Sequence, residues 1–517
     1  MGEQRYRVVI VGNMLTIRPS TLSLLERFIA LGGKVIFAGD VPGYVDAVAS
    51  SAPAALSARG ICVPFEEAAI VSAVRESSNE YVSVTDADGK TDTAVFVQVR
   101  KEFGENGCAF VLLNTDREQA KKDLTVAIKV PNGQAIEEWD LETGERLAIE
   151  KSAFWQNGTL FLTTSLEAAG TRCFVIAPER DEALVPAKAF ETVSEALAVI
   201  DGEFDFSKNE ENVCVLDFVK WRLQGGAFSE EIEVLKADRA VRATGGIERR
   251  GGEMLQPWFA KKNDAKAYGE LEIVYEFEIE TIPCGDVYLV GERPELNHYT
   301  INGVALSNHD VNDFWIDECL KRMKIPSGAL KIGKNVVTAT PTFMRTTNLE
   351  ALYLIGDFGV SIEGHKCTLS EPPKRIGCKN LEEYGLPFYT GSITYHLTAQ
   401  QYAGQIDLSA GEHVVLSPIS HTGGCVKVTA LGKTTVLGWD PYEADVTDAV
   451  RVGAPIDVTV VGTRKNLFGP LHQLPKIASS CGPGSYVTRG EKWTDDYALI
   501  DSGLRGIALK VQKEKLL

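Results

Sequence analysis

The chain has no apolar run approaching 18 residues, no excess of basic charge, no paired-cysteine motif and no glycine-rich phosphate loop. Each absence removes a function class. Without a long apolar run no membrane-spanning helix is expected, and Met1-Gly2-Glu3-Gln4-Arg5 leads straight into a strand instead of a signal-peptide hydrophobic region. A cytoplasmic protein without a membrane partner is therefore expected. With 53 basic against 71 acidic residues the net charge is −18, which repels a phosphate backbone and argues against nucleic acid. A neutral sugar suits that charge better.

The ten cysteines stand singly, with no CxxC pair and no short Cys-His spacing, so a zinc site is not expected. Cys108 and Cys173 sit inside apolar strands, where a thiol behaves as a small hydrophobe. Dispersed free thiols agree with a reducing compartment. What is present is length: 517 residues, 44% of them hydrophobic, can bury several cores and predict three or four domains.

The first segment has an α/β rhythm. Tyr6-Arg7-Val8-Val9-Ile10-Val11 reads as a central parallel strand, and Pro19-Ser20-Thr21 opens an amphipathic helix through Leu22, Leu25, Phe28 and Ile29. Gly32-Gly33 stops it before a second strand from Lys34 to Gly39. The loop Gly12-Asn13-Met14-Leu15 lacks the GxGxxG cradle, so no nucleotide is expected there.

From about residue 80 the period changes to two, with strands at 94–100, 108–114, 124–130, 159–162 and 173–176 separated by Gly-containing turns, which predicts a small antiparallel sandwich. Trp139 and Asp140 are expected to form a packed corner of it. A Pro- and charge-rich connector running from Ala177-Pro178-Glu179-Arg180-Asp181-Glu182 to about Ser207 places a linker at 181–207, and the pattern after it is strongly β, with Asn302-Gly303 as a type I′ hairpin signal.

Near the C-terminus the run Gly438-Trp439-Asp440-Pro441-Tyr442-Glu443-Ala444-Asp445-Val446-Thr447-Asp448, followed by Val458 to Asn466, resembles the galactose-binding-like jelly rolls of large glycoside hydrolases of the family 2 and α-L-rhamnosidase type. "TINGV", "FWIDECLKRMKIPSGALKIGKNVV" and "LEALYLIGDFGV" resemble the sugar-binding jelly roll of family 2. "PFYTGSITY" and "GTRKNLFGPLH" match the entry strand and exit loop of that architecture. "EWDLETGE" is similar to a turn in the same enzymes, and "VVIVGNMLTIRPSTLSLLERFIALGGKVIFAG" resembles the flavodoxin-like, β-galactosidase-trimerisation-like domain that follows their catalytic barrel. The resemblance implies a mostly β, multidomain chain. Its parts would be a flavodoxin-like α/β domain at 1–78, a small antiparallel β-sandwich at 79–180, the linker, a jelly roll at 208–372 and a C-terminal galactose-binding-like sandwich at 373–517.

Glycosidases carry two facing carboxylates, usually on barrel strand ends, and no run of eight β-α units is present to form a TIM barrel. Pairs such as Glu230-Glu231, Glu382-Glu383 and Asp495-Asp496 read as solvated faces, and no catalytic residue is assigned. Asp357 in Gly356-Asp357-Phe358-Gly359 is expected to accept backbone hydrogen bonds in its turn. No cofactor is expected, with calcium at Asp357 as the alternative. Carbohydrate contact is expected at a loop rim formed by Trp439, Asp440, Tyr442, Asn466 and His472, where an aromatic face stacks and polar groups orient hydroxyls; the alternative makes Trp439 core. His421 and His472 are the two histidines in Gly/Pro loops. Three functions remain open: an accessory part of a glycoside hydrolase completed by a barrel-bearing partner, a stand-alone carbohydrate-binding or structural protein, and an autonomous glycosidase; the expected partners are carbohydrate and either a catalytic-barrel subunit or further copies of the chain in a homo-oligomer.

Overall fold

The computed structural model describes residues 6–78, 81–103, 107–130, 135–141, 144–149, 153–177, 185–186, 190–200, 202–248, 266–307, 313–399, 408–409, 411–478 and 480–516. The chain divides into two units, Met1–Ala187 and Lys188–Leu517.

In the first unit, Val8–Val11, Lys34–Ala38 and Ile61–Val63 form a parallel sheet with Lys34–Ala38 in the middle. That central strand is the most buried of the three, with Val35, Ile36, Phe37 and Ala38 all buried, as a strand covered on both faces requires. The expected helix runs Pro19–Ala30 and buries Leu22 and Leu25. Gly32, at φ 88°, supplies the left-handed residue that ends it. The period-two segment forms two sheets, an antiparallel one of four strands and one of six that is antiparallel except where Val185–Pro186 joins Arg146–Ala148 in parallel. Leu124, Val126 and Ile128 alternate inward from strand Lys121–Lys129 against Phe110, Leu112, Phe174 and Ile176 of the other sheet. Trp139 is half-buried and donates to Glu137 Oε1 at 2.7 Å.

The second unit holds two sandwiches. The larger faces a four-stranded sheet, ordered Asn212–Leu216, Leu352–Gly356, Tyr288–Glu292, Leu320–Lys324, against a nine-stranded sheet built around Ala267–Ile279. The Asn302-Gly303 turn takes positive φ at both residues, 50° and 83°, and pairs Tyr299–Ile301 with Val304–Ala305 as the hairpin signal predicts. The smaller sandwich faces a sheet of Phe190–Ile200, Ile507–Leu516, Glu412–Pro418 and Ala444–Asp445 against a six-stranded sheet that includes Glu203–Lys208 and Ile393–Thr398.

Two expectations change here. The stretch read as a linker, 181–207, carries strands Phe190–Ile200 and Glu203–Lys208, which pair with Ile507–Leu516 and Ile393–Thr398. Glu203–Lys208 alternates, with Phe204 buried and Glu203, Asp205 and Ser207 exposed, whereas Ser194, Glu195, Ala196 and Leu197 of Phe190–Ile200 are all exposed, so that strand is made by its pairing and not by a buried face. The region read as strongly β also contains a helix that was not expected, Val234–Thr244, whose Val234, Ala237 and Val241 are buried. The larger sandwich is thus an insertion within the smaller one, and Leu467, Leu471 and Leu499 from the later chain return to its core. Among the described residues no sheet closes into a barrel, and no helix is long and apolar enough to cross a membrane.

Candidate functional site

The structure places the five expected rim residues in three surroundings. Trp439 is 54% exposed, so it is no core residue, and Asp440 beside it is exposed as well. Tyr442 is partly buried against the smaller sandwich, with its ring edge-on to His421 at 5.1 Å. Burial holds His421 below the ordinary histidine pKa. Asn466 is buried: its Nδ2 donates to Ile500 O at 2.8 Å and its Oδ1 accepts from Ile500 N at 3.0 Å, which pins two chain segments together. His472 is 5% exposed and sits elsewhere, against Asp217. Asp357 is exposed and pairs with Lys208 at 3.5 Å. Among the described residues no group of three or more His, Cys, Asp or Glu side chains is placed to hold a metal ion.

His472 leads to a buried polar cluster. Asp217 lies between strands Asn212–Leu216 and Phe218–Leu223, and its Oδ2 is 3.1 Å from His472 Nε2 while its Oδ1 accepts from the Tyr497 hydroxyl at 2.7 Å. His472 Nδ1 faces the carbonyls of Thr494 and Asp496 at 3.1 and 3.2 Å. Carbonyls only accept, so Nδ1 carries a proton, and a second proton on Nε2 is what suits Asp217. Burial lowers the imidazole pKa, but the hydrogen bond and charge of Asp217, with the charge of Glu233, outweigh it and carry it above the ordinary value. Glu233 caps the helix Val234–Thr244, accepting from Leu235 N at 2.9 Å and Lys236 N at 3.0 Å. Burial and the Asp217 charge still push its carboxyl up to about 7.

This cluster forms one wall of a chamber of about 120 Å³. Glu292, Glu350 and Ala351 line that chamber and also a larger cavity of about 370 Å³. The sheet register explains the convergence. Leu216 pairs with Leu352 and Glu292 with Leu320, so Asp217, Glu350 and Glu292 all fall at one end of the four-stranded sheet. Tyr275, Tyr299, Arg293, Asn297, Thr346 and Asn348 complete much of the larger cavity. The Tyr275 hydroxyl donates to Glu350 O at 3.1 Å. Arg293 stands in the left-handed region at φ 45°, a strained position for a residue with a side chain.

The wall 344–351 is tied to the helix Val234–Thr244 from behind. Arg242, 1% exposed, donates from Nη1 to Arg345 O at 2.8 Å, from Nη2 to Thr347 O at 2.6 Å and from Nε to Asp238 at 2.9 Å. Within the wall, Met344 N donates to Thr347 Oγ1 at 2.8 Å. Carboxylates, amides and hydroxyls beside tyrosine rings can hydrogen-bond ligand hydroxyls and cover an apolar ligand face. Sequence reasoning missed Asp217, Glu233, Arg242, Glu292 and Glu350. The spacing in Val-Leu-Lys-Ala-Asp-Arg-Ala-Val-Arg-Ala-Thr-Gly-Gly could have disclosed the helix that carries Arg242. The acids stand singly at strand ends with no spacing to mark them.

No protein-family model matches the chain, and no curated protein matches it. Solved structures do match. They are glycoside hydrolases. A rhamnosidase from Novosphingobium sp. PP1Y is 16% identical over 66% of this chain and 33% of its own, with a TM-score of 0.25. An exo-carrageenase of family GH42 from Bacteroides ovatus is 10% identical over 34% of this chain and 23% of its own, with a TM-score of 0.22. A β-porphyranase of glycoside hydrolase family 86 from Bacteroides plebeius is 12% identical over 68% of this chain and 63% of its own, with a TM-score of 0.14. The chain thus spans about a third of the rhamnosidase's length.

Proposed function

We propose that this chain is a carbohydrate-binding accessory part of a glycoside hydrolase, working with a barrel-bearing partner that supplies the catalytic carboxylates. In this reading the parallel sheet of the first unit is a flavodoxin-like assembly domain, the sandwiches of the second unit are galactose-binding-like jelly rolls, and the protein acts in the cytoplasm. The observation that carries the reading is the cavity of about 370 Å³, within the size range of small-molecule sites and lined by tyrosines, amides, threonines and two carboxylates. The exposed Trp439, with Asp440 and Tyr442, is a second sugar contact in the same reading, while Asn466 and His472 lie apart from it in buried hydrogen-bonded positions.

The test is to purify the chain with and without a barrel-bearing polypeptide encoded beside it, and to assay both against a panel of aryl glycosides. Turnover only in the complex is expected. A second reading, an autonomous glycosidase, draws on Glu233, whose carboxyl is pushed up to about 7 beside Asp217, the direction a general acid needs. Against it, Glu233 is buried and occupied with capping a helix. Turnover by the isolated chain that disappears in Glu233→Gln would favour this second reading over the first.

A further inference from the structure

A buried acceptor with nothing to accept from is costly, so each one in a folded chain calls for a reason. Asn348 Oδ1 is such an atom: it is buried and has no hydrogen-bond partner among the described residues. Its surroundings set it apart. Ser502 Oγ is likewise without a partner, but the space it borders is only about 20 Å³, enough for one water and nothing larger. Asn348 lines the cavity of about 370 Å³, which is of small-molecule size.

The backbone on both sides of Asn348 is held in place. Ahead of it, Arg242 donates to Arg345 O at 2.8 Å and to Thr347 O at 2.6 Å, and Thr347 Oγ1 accepts from Met344 N at 2.8 Å. Beyond it, the Tyr275 hydroxyl donates to Glu350 O at 3.1 Å. The amide is presented from a fixed segment, so a ligand that meets it need not order the chain first. Asn348 is also uncharged, and its contact does not depend on how the acids and Arg293 of the cavity are paired. Tyr299 lines the same cavity, and burial with the charges of Glu295 and Glu292 raises its hydroxyl above the ordinary tyrosine pKa, which keeps it an O–H donor at neutral pH. An acceptor at Asn348 and a donor at Tyr299 suit a ligand whose groups both donate and accept, as hydroxyls do. Tyr275 and Tyr299, with Leu296 and Leu349, supply the apolar complement to a ring.

We propose that Asn348 is a specificity-determining residue of this cavity, its amide oxygen accepting a hydrogen bond from one ring hydroxyl of a sugar bound there. The proposal rests on the carbohydrate reading above and deepens it by naming the group that reads the ligand. In the free chain the acceptor stays unpaired, and a ligand hydroxyl relieves it. Stability and binding are therefore set against each other at one atom.

The full chain is titrated calorimetrically with the methyl glycosides of galactose, glucose, mannose, rhamnose and fucose, and then with monodeoxy analogues of those that bind. At least one parent glycoside is expected to bind saturably with Kd on the order of 1 mM, as suits so small a ligand, and one of its monodeoxy analogues about tenfold more weakly. Asn348→Leu is similar in shape and removes the acceptor. It is expected to melt no lower than the wild type, to bind the parent about tenfold more weakly, and to bind parent and analogue alike. Thr346→Trp, on the cavity wall, is expected to abolish binding of both, which locates them in the cavity. The proposal is overturned if no parent glycoside binds, if Thr346→Trp binds as the wild type does, or if Asn348→Leu keeps the wild-type affinity or the wild-type ratio of parent to analogue. Those results would leave a water as the partner of Asn348. A clear fall in the melting temperature of Asn348→Leu overturns it too, because the amide would then be structural. Turnover in the barrel complex is a separate measurement, so a chain that supports turnover while Asn348→Leu binds as the wild type does would sink this proposal and leave the accessory reading intact.

Discussion

Replacing Asp217 tests the buried cluster most directly, because two replacements of similar size should behave differently. Leucine removes both acceptors. It leaves the His472 Nε2 edge facing an apolar surface, with the Tyr497 hydroxyl keeping only the Val215 carbonyl at 3.2 Å. Breaking a buried pair by removing one partner costs about 3–5 kcal/mol. At about 1–2 °C per kcal/mol for a unit as large as Lys188–Leu517, the second unit should melt roughly 3–10 °C lower. Asparagine is different: its oxygen can accept from Tyr497 while its amide donates to a neutral His472 whose Nδ1 proton still faces the two carbonyls. Every polar atom there retains a partner, so the cost should fall to about 1 kcal/mol. The pH dependence should change as well. In the wild type both His472 and Glu233 have folded pKa values above their ordinary ones, 6.5 and 4.5. A raised value gives stability that is complete below the unfolded pKa and lost as pH rises through the folded one. Wild-type stability should therefore decline from pH 4.5 to about 7 through Glu233, and further above pH 6.5 through His472. Asp217→Asn removes the charge that raises His472, leaves burial to depress it, and should flatten the upper part of that decline. Differential scanning calorimetry of wild type, Asp217→Asn and Asp217→Leu at several pH values reads all of this. Equal melting temperatures for the two variants, or a Leu variant within about 2 °C of wild type, would refute the reasoning.

Four further outcomes are expected. Trp439→Ala should leave thermal stability within about 0.5 kcal/mol, because the side chain is mostly exposed. If Trp439 stacks on sugar, the same change should weaken oligosaccharide binding by about 1–3 kcal/mol, read by affinity electrophoresis. Asn466→Ala removes both partners of the part-buried Ile500 N–H and C=O and should cost about 1–3 kcal/mol in a urea titration. Gly462→Ala should be poorly tolerated, since the added methyl would stand 2.4 and 2.5 Å from the carbonyl oxygens of Thr390 and Gly391; soluble yield and melting temperature should both drop, and a normal melt would contradict the packing.

Architecture was legible where one local pattern controls it. The apolar run at Val8–Val11, Pro19 at a helix start, the alternation of Lys121–Lys129 and the Asn302-Gly303 turn each specify an element from a few neighbouring residues. The helix Val234–Thr244 was hidden by the strands around it, although its spacing is helical. The strand Phe190–Ile200 was hidden because Ser194, Glu195, Ala196 and Leu197 are all exposed and show no alternation, so only its pairing with the distant Ile507–Leu516 makes it a strand. Site residues follow the same division. Trp439 is conspicuous as a residue type, but the Asp217–His472 pair joins positions 255 residues apart, and only the folded sheet register brings Asp217, Glu292 and Glu350 to one end.

The strand Ile507–Leu516 lies between Phe190–Ile200 and Glu412–Pro418 and is hydrogen-bonded to both. During synthesis the residues of the larger sandwich emerge well before this strand, so two partner strands wait with facing edges unpaired. Pairing across more than 300 positions has a high loop-closure cost and comes late, and exposed edges of this kind invite association with other chains. Removing Ile507–Leu516 would therefore split a sheet down its middle and leave two adhesive edges.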